Sequence, residues 1–361
     1  MEREFINELT ELANSPLPFT DIRLEQDAPV ALRLPEGWVS QPDTVMFPPT
    51  MGDLTQVMSA IDPNWEEKIE KRAINRPIDL SRWRLRINAY LAYGGAKLMM
   101  SIRRIAIEPP TLKSVGLPAV VRLMLSAPRG LILIAGATRS GKSTTAAAMI
   151  DEINGSRKAH VITIEDPIEY VFQNRLSVFS QREVGVDIQS FEEGLQDAMR
   201  QCPDVILVGE IRNRETAETA LLAGESGHLV IGTVHANTAS GAVQKMLSWF
   251  NDNERAAKLQ SLSGSLVGVV NQILLPRADG KGYALAVEVI NNCEQGFSSM
   301  LGDPAKIASA MERPESRKGS VLMAESLFEL ASNKVVDPAE AMRSVTGLPT
   351  VQEKLKSLLK G

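Results

Sequence analysis

Apolar and polar positions follow two different patterns along the 361 residues. The first third opens with a capped, helix-like stretch, Met1–Ala13. Short alternating runs follow, Asp21-Ile-Arg-Leu and Val30-Ala-Leu-Arg-Leu, broken by Pro, Gly and Asp, and these predict half-buried antiparallel strands. Residues 50–72 read as helical. The run Arg82-Trp-Arg-Leu-Arg-Ile-Asn-Ala-Tyr-Leu puts Trp83, Leu85, Ile87 and Ala89 on one strand face and Arg82, Arg84, Arg86 and Asn88 on the other. Tyr93-Gly-Gly reads as a turn into Lys97–Ile105, giving a hairpin with a row of arginines. The Pro-rich stretch Glu108–Pro118 reads as a linker.

From Leu131 onward, continuous apolar runs alternate with helical segments: Leu131–Ile134, Val161–Ile164, Val205–Val208 and Leu229–Ile231. Such runs predict strands buried on both faces of a parallel sheet, so the fold class is α/β. Ligands of such sheets bind at the carboxyl ends of the strands. The segments that follow the runs are therefore expected to converge: Gly136–Ser143, Glu165 to Glu169, Gly209-Glu210, and His235.

Composition narrows the class. Hydrophobic residues are 44% and charged residues 23%, as in folded globular chains and unlike disordered ones. A net charge of −5 supplies no overall basic field for nucleic acid. The two cysteines, Cys202 and Cys293, stand far apart, which excludes a Cys-x-x-Cys zinc pair and points to a reducing compartment. No apolar run approaches the ~18 residues of a membrane span, and the charged start does not read as a signal peptide. A cytoplasmic protein is expected.

The run Gly136-Ala137-Thr138-Arg139-Ser140-Gly141-Lys142-Ser143-Thr144 has the phosphate-loop pattern in its proper context, after a strand and before a helix former run. Its glycines let backbone N–H groups surround phosphate oxygens at a helix N-terminus, Lys142 neutralises β/γ charge, and the Ser143 hydroxyl suits Mg2+. Val205–Val208 ends in Glu210, the form of a magnesium-ordering acid; alone, it equally fits a buried strand with a surface glutamate. Glu165, Asp166 and Glu169 form an acidic cluster able to order a metal's water shell and accept a proton from attacking water. His228 and His235 bracket a strand, either as phosphate-responsive groups or as packing histidines.

Four segments, GATRSGKST, TIEDPIEY, DAMRQCPDVILVGEIRNRETAETAL and AGESGHLVIGTVHAN, resemble in order and spacing the Walker A, Asp box, Walker B and His box of the PilT-like secretion ATPase family. That family comprises type IV pilus retraction ATPases and DotB-like ATPases of type IV secretion and conjugation. RLRINAY with SIRRI, and Ser320–Val345, are similar to its N-terminal and C-terminal regions. The resemblance implies a RecA-like phosphate-loop core with an N-terminal α+β PAS-like domain, divided as residues 1–107, linker 108–118 and ATPase domain 119–361 with C-terminal helices. It implies a Mg-dependent ATPase working as a homo-hexamer at the cytoplasmic face of the bacterial inner membrane, with platform and other machine proteins as partners and no direct sequence-specific nucleic acid. It further implies Glu169 as the catalytic glutamate, Glu210 as the Walker B acid, His228 and His235 as the His-box pair, and Arg84, Arg86, Arg103, Arg200 and Arg212 as arginine fingers. Two departures carry information. No tetracysteine zinc module can form, which disfavours the pilus-assembly and type II secretion branch. Gly302–Arg317 reads GDPAKIASAMERPESR where retraction ATPases carry an AIRNLIRE-like segment, which moves the reading from retraction proper toward secretion or conjugation. A RecA-like DNA translocase is the alternative of another class.

Overall fold

The alternating runs of the first third form one antiparallel sheet in the computed structural model, which describes residues 4–40, 46–80 and 82–360. Its strands are β1 (Asp21–Glu25), β2 (Ala31–Leu34), β3 (Gly37–Ser40), β4 (Ile74–Leu80), β5 (Trp83–Ala92) and β6 (Lys97–Ala106), in the order β3-β2-β1-β6-β5-β4. Alternation in β5 buries Leu85, Ile87 and Ala89 and leaves Arg84, Arg86 and Asn88 on the other face; Trp83 is only half-buried. The buried face, with Ile22, Leu24, Leu32 and Ile102, packs on Phe5, Leu9 and Leu12 of helix Phe5–Asn14 and on Leu54, Val57 and Met58 of helix Met51–Ile61. Each such side chain contributes about 1.5–3 kcal/mol by leaving water.

Three expectations change here. The first helix has no side-chain cap, and Met1–Arg3 lie outside the described residues. Residues 50–72 are two helices, Met51–Ile61 and Trp65–Ile69, because Pro63 forces Asp62 out of helical geometry (φ −156°, ψ 106°). The supposed linker contains a capped helical turn, Leu112–Val115, with Leu112 and Leu117 buried.

The rest of the chain builds a second sheet from β7 (Gly130–Ala135), β8 (His160–Glu165), β9 (Val178–Glu183), β10 (Val205–Val208), β11 (Leu229–Val234), β12 (Leu266–Pro276) and β13 (Tyr283–Asn291). The order is β13-β12-β7-β11-β10-β8-β9, parallel throughout except that β13 runs against β12. The four apolar runs are the four central parallel strands β7, β11, β10 and β8, and all of β7, β10 and β11 is buried. Leu131, Leu133 and Ala135 pack beneath Ala217, Ala220, Ala242 and Val243 on one face. Helices Met323–Ser332, Pro338–Ser344 and Pro349–Lys360 close on Leu275, Ala284 and Ala286 of β12 and β13. By contacts the chain divides into two compact units, Met1–Glu108 with Asp279–Gly282, and Pro109–Ala278 with Tyr283–Gly361.

Candidate functional site

Parallel pairing in the order β7, β11, β10, β8 sets four strand exits side by side: Gly136, His235, Gly209 and Asp166. Gly136 has φ +152°, and a Cβ there would run into the Ser140 hydroxyl and lie 2.8 Å from the Gln272 carbonyl oxygen. The loop can turn this tightly only without a side chain at that position. Helix Lys142–Ser156 then begins at Gly141, and its first-turn N–H groups face the loop mouth.

Lys142 is buried, and its Nζ donates to the carbonyls of Gly136 and Ala137 at 2.9 Å each and lies 3.4 Å from His235 Nδ1. Burial pulls its pKa down, and the charge of Glu210 partly offsets that. Ala137, Thr138, Arg139 and Ser143 are exposed, and Ser140 is buried. The Tyr170 hydroxyl donates to Thr144 Oγ1 at 3.4 Å, joining the acidic segment to the start of the helix.

Glu210 follows β10 through Gly209, whose N–H donates to Ile164 O at 2.7 Å; a Cβ at Gly209 would lie 3.0 Å from that same oxygen. Glu210 accepts from Arg212 Nε at 2.8 Å and pairs with His235 Nε2 at 3.1 Å, and Arg212 also reaches Asp166 at 3.2 Å. With Nδ1 toward an ammonium and Nε2 toward a carboxylate, the consistent tautomer of His235 is neutral, protonated on Nε2. Lys142, His235, Glu210, Arg212 and Asp166 thus form one polar chain across the four strand exits.

Glu165 ends β8 beneath this chain. It accepts from Thr163 Oγ1 at 2.7 Å, from Gln181 Nε2 at 3.4 Å and from the N–H of Glu169, yet burial outweighs these donors and pushes its pKa up to about 7. Glu169 is half-buried beyond the cis Asp166–Pro167 bond.

Not every expected residue comes to these exits. His228 precedes β11, at the amino end of the sheet, where its Nδ1 meets Ala223 O at 3.0 Å; six residues of strand separate it from His235. Arg200 is exposed and precedes β10, again at the amino end. In the first unit Arg84 is held by Asp79 through two hydrogen bonds of 2.7 and 2.9 Å, and Arg86 stands opposite Arg103, which pairs with Asp21 at 3.0 Å. Arg104, beside them, is a packing group: it lies over the rings of Phe19 and Trp83 and donates to the carbonyls of Ala13, Leu17 and Phe19. Tyr170, Gln181 and Gln272 went unassigned in the sequence; for Gln272 a signal was present, since Asn271-Gln272 interrupts an otherwise apolar run.

Comparison with known proteins identifies the family and the fold. The family described as Type II/IV secretion system protein matches residues 97–345. The Type IV pilus ATPase PilU of Pseudomonas aeruginosa is 36% identical over 260 residues, which are 72% of this chain and 67% of PilU. The Type IV pilus retractation ATPase PilT of the same organism is 40% identical over 222 residues, 62% of this chain and 61% of PilT. A crystal structure of the pilus retraction motor PilT with bound ADP superposes with a TM-score of 0.79 at 34% identity, covering 94% of this chain and 96% of that one. The Legionella pneumophila ATPase DotB shares the fold, with a TM-score of 0.79 at 24% identity over 95% of this chain and 94% of its own.

Proposed function

The chain belongs to the Type II/IV secretion system protein family, and from that premise we propose that it is a motor ATPase which hydrolyses ATP to ADP and phosphate and so drives a pilus or secretion machine. The observation that carries this reading is the meeting of Lys142, His235 and Glu210 at adjacent strand exits beside a helix N-terminus. That arrangement offers a cation and N–H groups to the phosphates and carboxylates to the metal and the attacking water. Identity to PilU and PilT favours a pilus machine between the two, although Gly302–Arg317 does not follow the retraction-type segment.

Lys142 neutralises β/γ-phosphate charge, and Glu169 orients the water and accepts its proton. Mg2+ suits the donor set: the exposed Ser143 hydroxyl and the Glu210 carboxylate are hard oxygens, and such an ion takes its remaining ligands from phosphate and water. Among the described residues no group of three His, Cys, Asp or Glu side chains is placed to hold a metal ion. When bound, the ion screens charge on the transferring phosphoryl group. Arg86, Arg103 and Arg212 are the arginines assigned to that charge when chains assemble as a homo-hexamer. Among the described residues no helix is long and apolar enough to cross a membrane. On the family resemblance alone, we assign the motor to the cytoplasmic face, held there by platform proteins.

Phosphate release and binding of a fluorescent ADP analogue test the assignment. Lys142→Ala should lose both. Glu210→Gln and Glu169→Gln should each keep affinity within about tenfold while kcat falls about 10²-fold or more, the mark of groups that act in the transition state. Wild-type turnover in Lys142→Ala overturns the reading.

A further inference from the structure

Two buried amides stand side by side in the apolar strand β12. Asn271 and Gln272 are each 1% exposed, and amides in such surroundings cost free energy unless they are hydrogen-bonded. Alternation sends their side chains to opposite faces of the sheet. Gln272 Nε2 donates to Ser140 O at 2.7 Å, two residues before Lys142, and its main-chain carbonyl closes the space above Gly136. Its side chain therefore holds the middle of the phosphate loop, while its backbone lies over the loop's first residue.

On the other face Asn271 Nδ2 donates to Asn237 O at 3.1 Å, two residues after His235. Glu288, directly opposite Asn271 on β13, accepts from Asn271 at 3.5 Å and from the N–H of Ala239 at 2.6 Å. Segment 235–239 leaves β11, crosses the exit of β7 and is pinned at both Asn237 and Ala239. The Glu288 carboxyl is pushed upward by burial against these two donors.

We propose that Gln272, Asn271 and Glu288 are positioning residues: β12 and β13 form a bracket that holds the phosphate loop from one face and the His235 segment from the other, so that His235 stands between Lys142 and Glu210. The inference rests on the ATPase reading and adds to it the parts that set the geometry. The two anchors serve different segments, so their loss separates. Gln272→Leu, similar in volume, leaves the Ser140 carbonyl unpaired and loosens the loop. Glu288→Leu frees the His235 segment and leaves the loop untouched. Glu288→Gln keeps an acceptor for Ala239.

The experiment uses the full chain with Mg2+ and measures Kd for a fluorescent ADP analogue, kcat for phosphate release, and Tm. Gln272→Leu should raise Kd about tenfold or more; Glu288→Leu should keep Kd within about threefold and lower kcat about thirtyfold, and Glu288→Gln should restore most of that kcat. Wild-type Kd in Gln272→Leu overturns the proposal, as does wild-type kcat in Glu288→Leu. Equal losses of Kd and kcat in both variants, together with a fall in Tm, also overturn it, because they mark general destabilisation. Lys142→Ala is the control: if it binds nucleotide normally the ATPase reading itself fails, whereas if it loses binding while Gln272→Leu keeps it, only the bracket fails.

Discussion

Glu165→Gln should make the protein more stable at alkaline pH, and the size of the gain follows from the site. The carboxyl titrates near 4.5 when unperturbed and at about 7 in the fold, because burial outweighs the donors from Thr163, Gln181 and Glu169. Between these values the native state holds a proton that the unfolded chain has released. Stability from this group is therefore intact below about 4.5, falls as pH rises through the window, and reaches its full loss above about 7. At about 1.4 kcal/mol per pH unit the full loss is about 3 kcal/mol, of which about 2 kcal/mol accrues between about pH 5.5 and about pH 8. Gln offers a carbonyl to Thr163 Oγ1 and cannot ionise. Urea unfolding of both proteins at the two pH values isolates the effect, since other titrating groups cancel in the difference. The variant should gain about 2 kcal/mol on the wild type as pH rises. Parallel pH profiles would refute the reasoning, because they would mean that Glu165 ionises in the fold as readily as in the unfolded chain.

Gly136→Ala places a methyl group against Ser140 and the Gln272 carbonyl, so nucleotide affinity should fall about tenfold or more by equilibrium binding; unchanged affinity would show that the loop has room to spare. Arg104→Ala removes a guanidinium, its pKa pulled down to about 10 by burial, that donates to three carbonyls, and should destabilise the first unit by about 3 kcal/mol or more in urea unfolding followed by tryptophan fluorescence. If Arg86 acts on a neighbouring chain, specific activity should rise with protein concentration through the assembly range, and inactive Arg86→Ala and Lys142→Ala chains should partly complement when mixed. Concentration-independent specific activity would count against that arrangement.

The sequence was most legible where burial is two-sided. Leu131–Ile134, Val161–Ile164, Val205–Val208 and Leu229–Ile231 are short, rich in Val and Ile and bounded by polar or small residues, which favours buried strands, and the strands found exceed these runs by a few residues at most. Strand β3 went unread: three of its four residues are exposed, so it carries no burial alternation. Strand β4 is also an edge strand and includes a proline. In the site, Lys142 was legible from the glycine-rich pattern between a strand and a helix, and Glu210 and His235 because each follows the end of an apolar strand. The positions of His228 and Arg200 were not, because a motif records order along the chain and not which end of a parallel strand a residue occupies. Gln272 lies well over a hundred residues beyond the phosphate loop and Glu288 about fifty beyond the His235 segment, and only strand pairing brings each to its place.

The polar chain across the strand exits also bears on what nucleotide must displace. An ammonium has three donors, and those of Lys142 are all directed at protein acceptors: Gly136 O, Ala137 O and His235 Nδ1. A phosphate oxygen can reach Lys142 only by taking one of them. The 3.4 Å contact to the imidazole is the longest of the three, whereas the two carbonyl contacts belong to the loop's own turn, so the His235 ring is the partner that yields, turning about its side-chain bonds while Asn271 and Glu288 keep segment 235–239 in place. Glu210 is in the same position: one oxygen accepts from Arg212 and the other pairs with His235, so a metal ion must share each oxygen with a hydrogen-bond donor. Displacing His235 relieves both constraints at once: it frees a donor on Lys142 and an acceptor on Glu210, the two groups that phosphate and metal require.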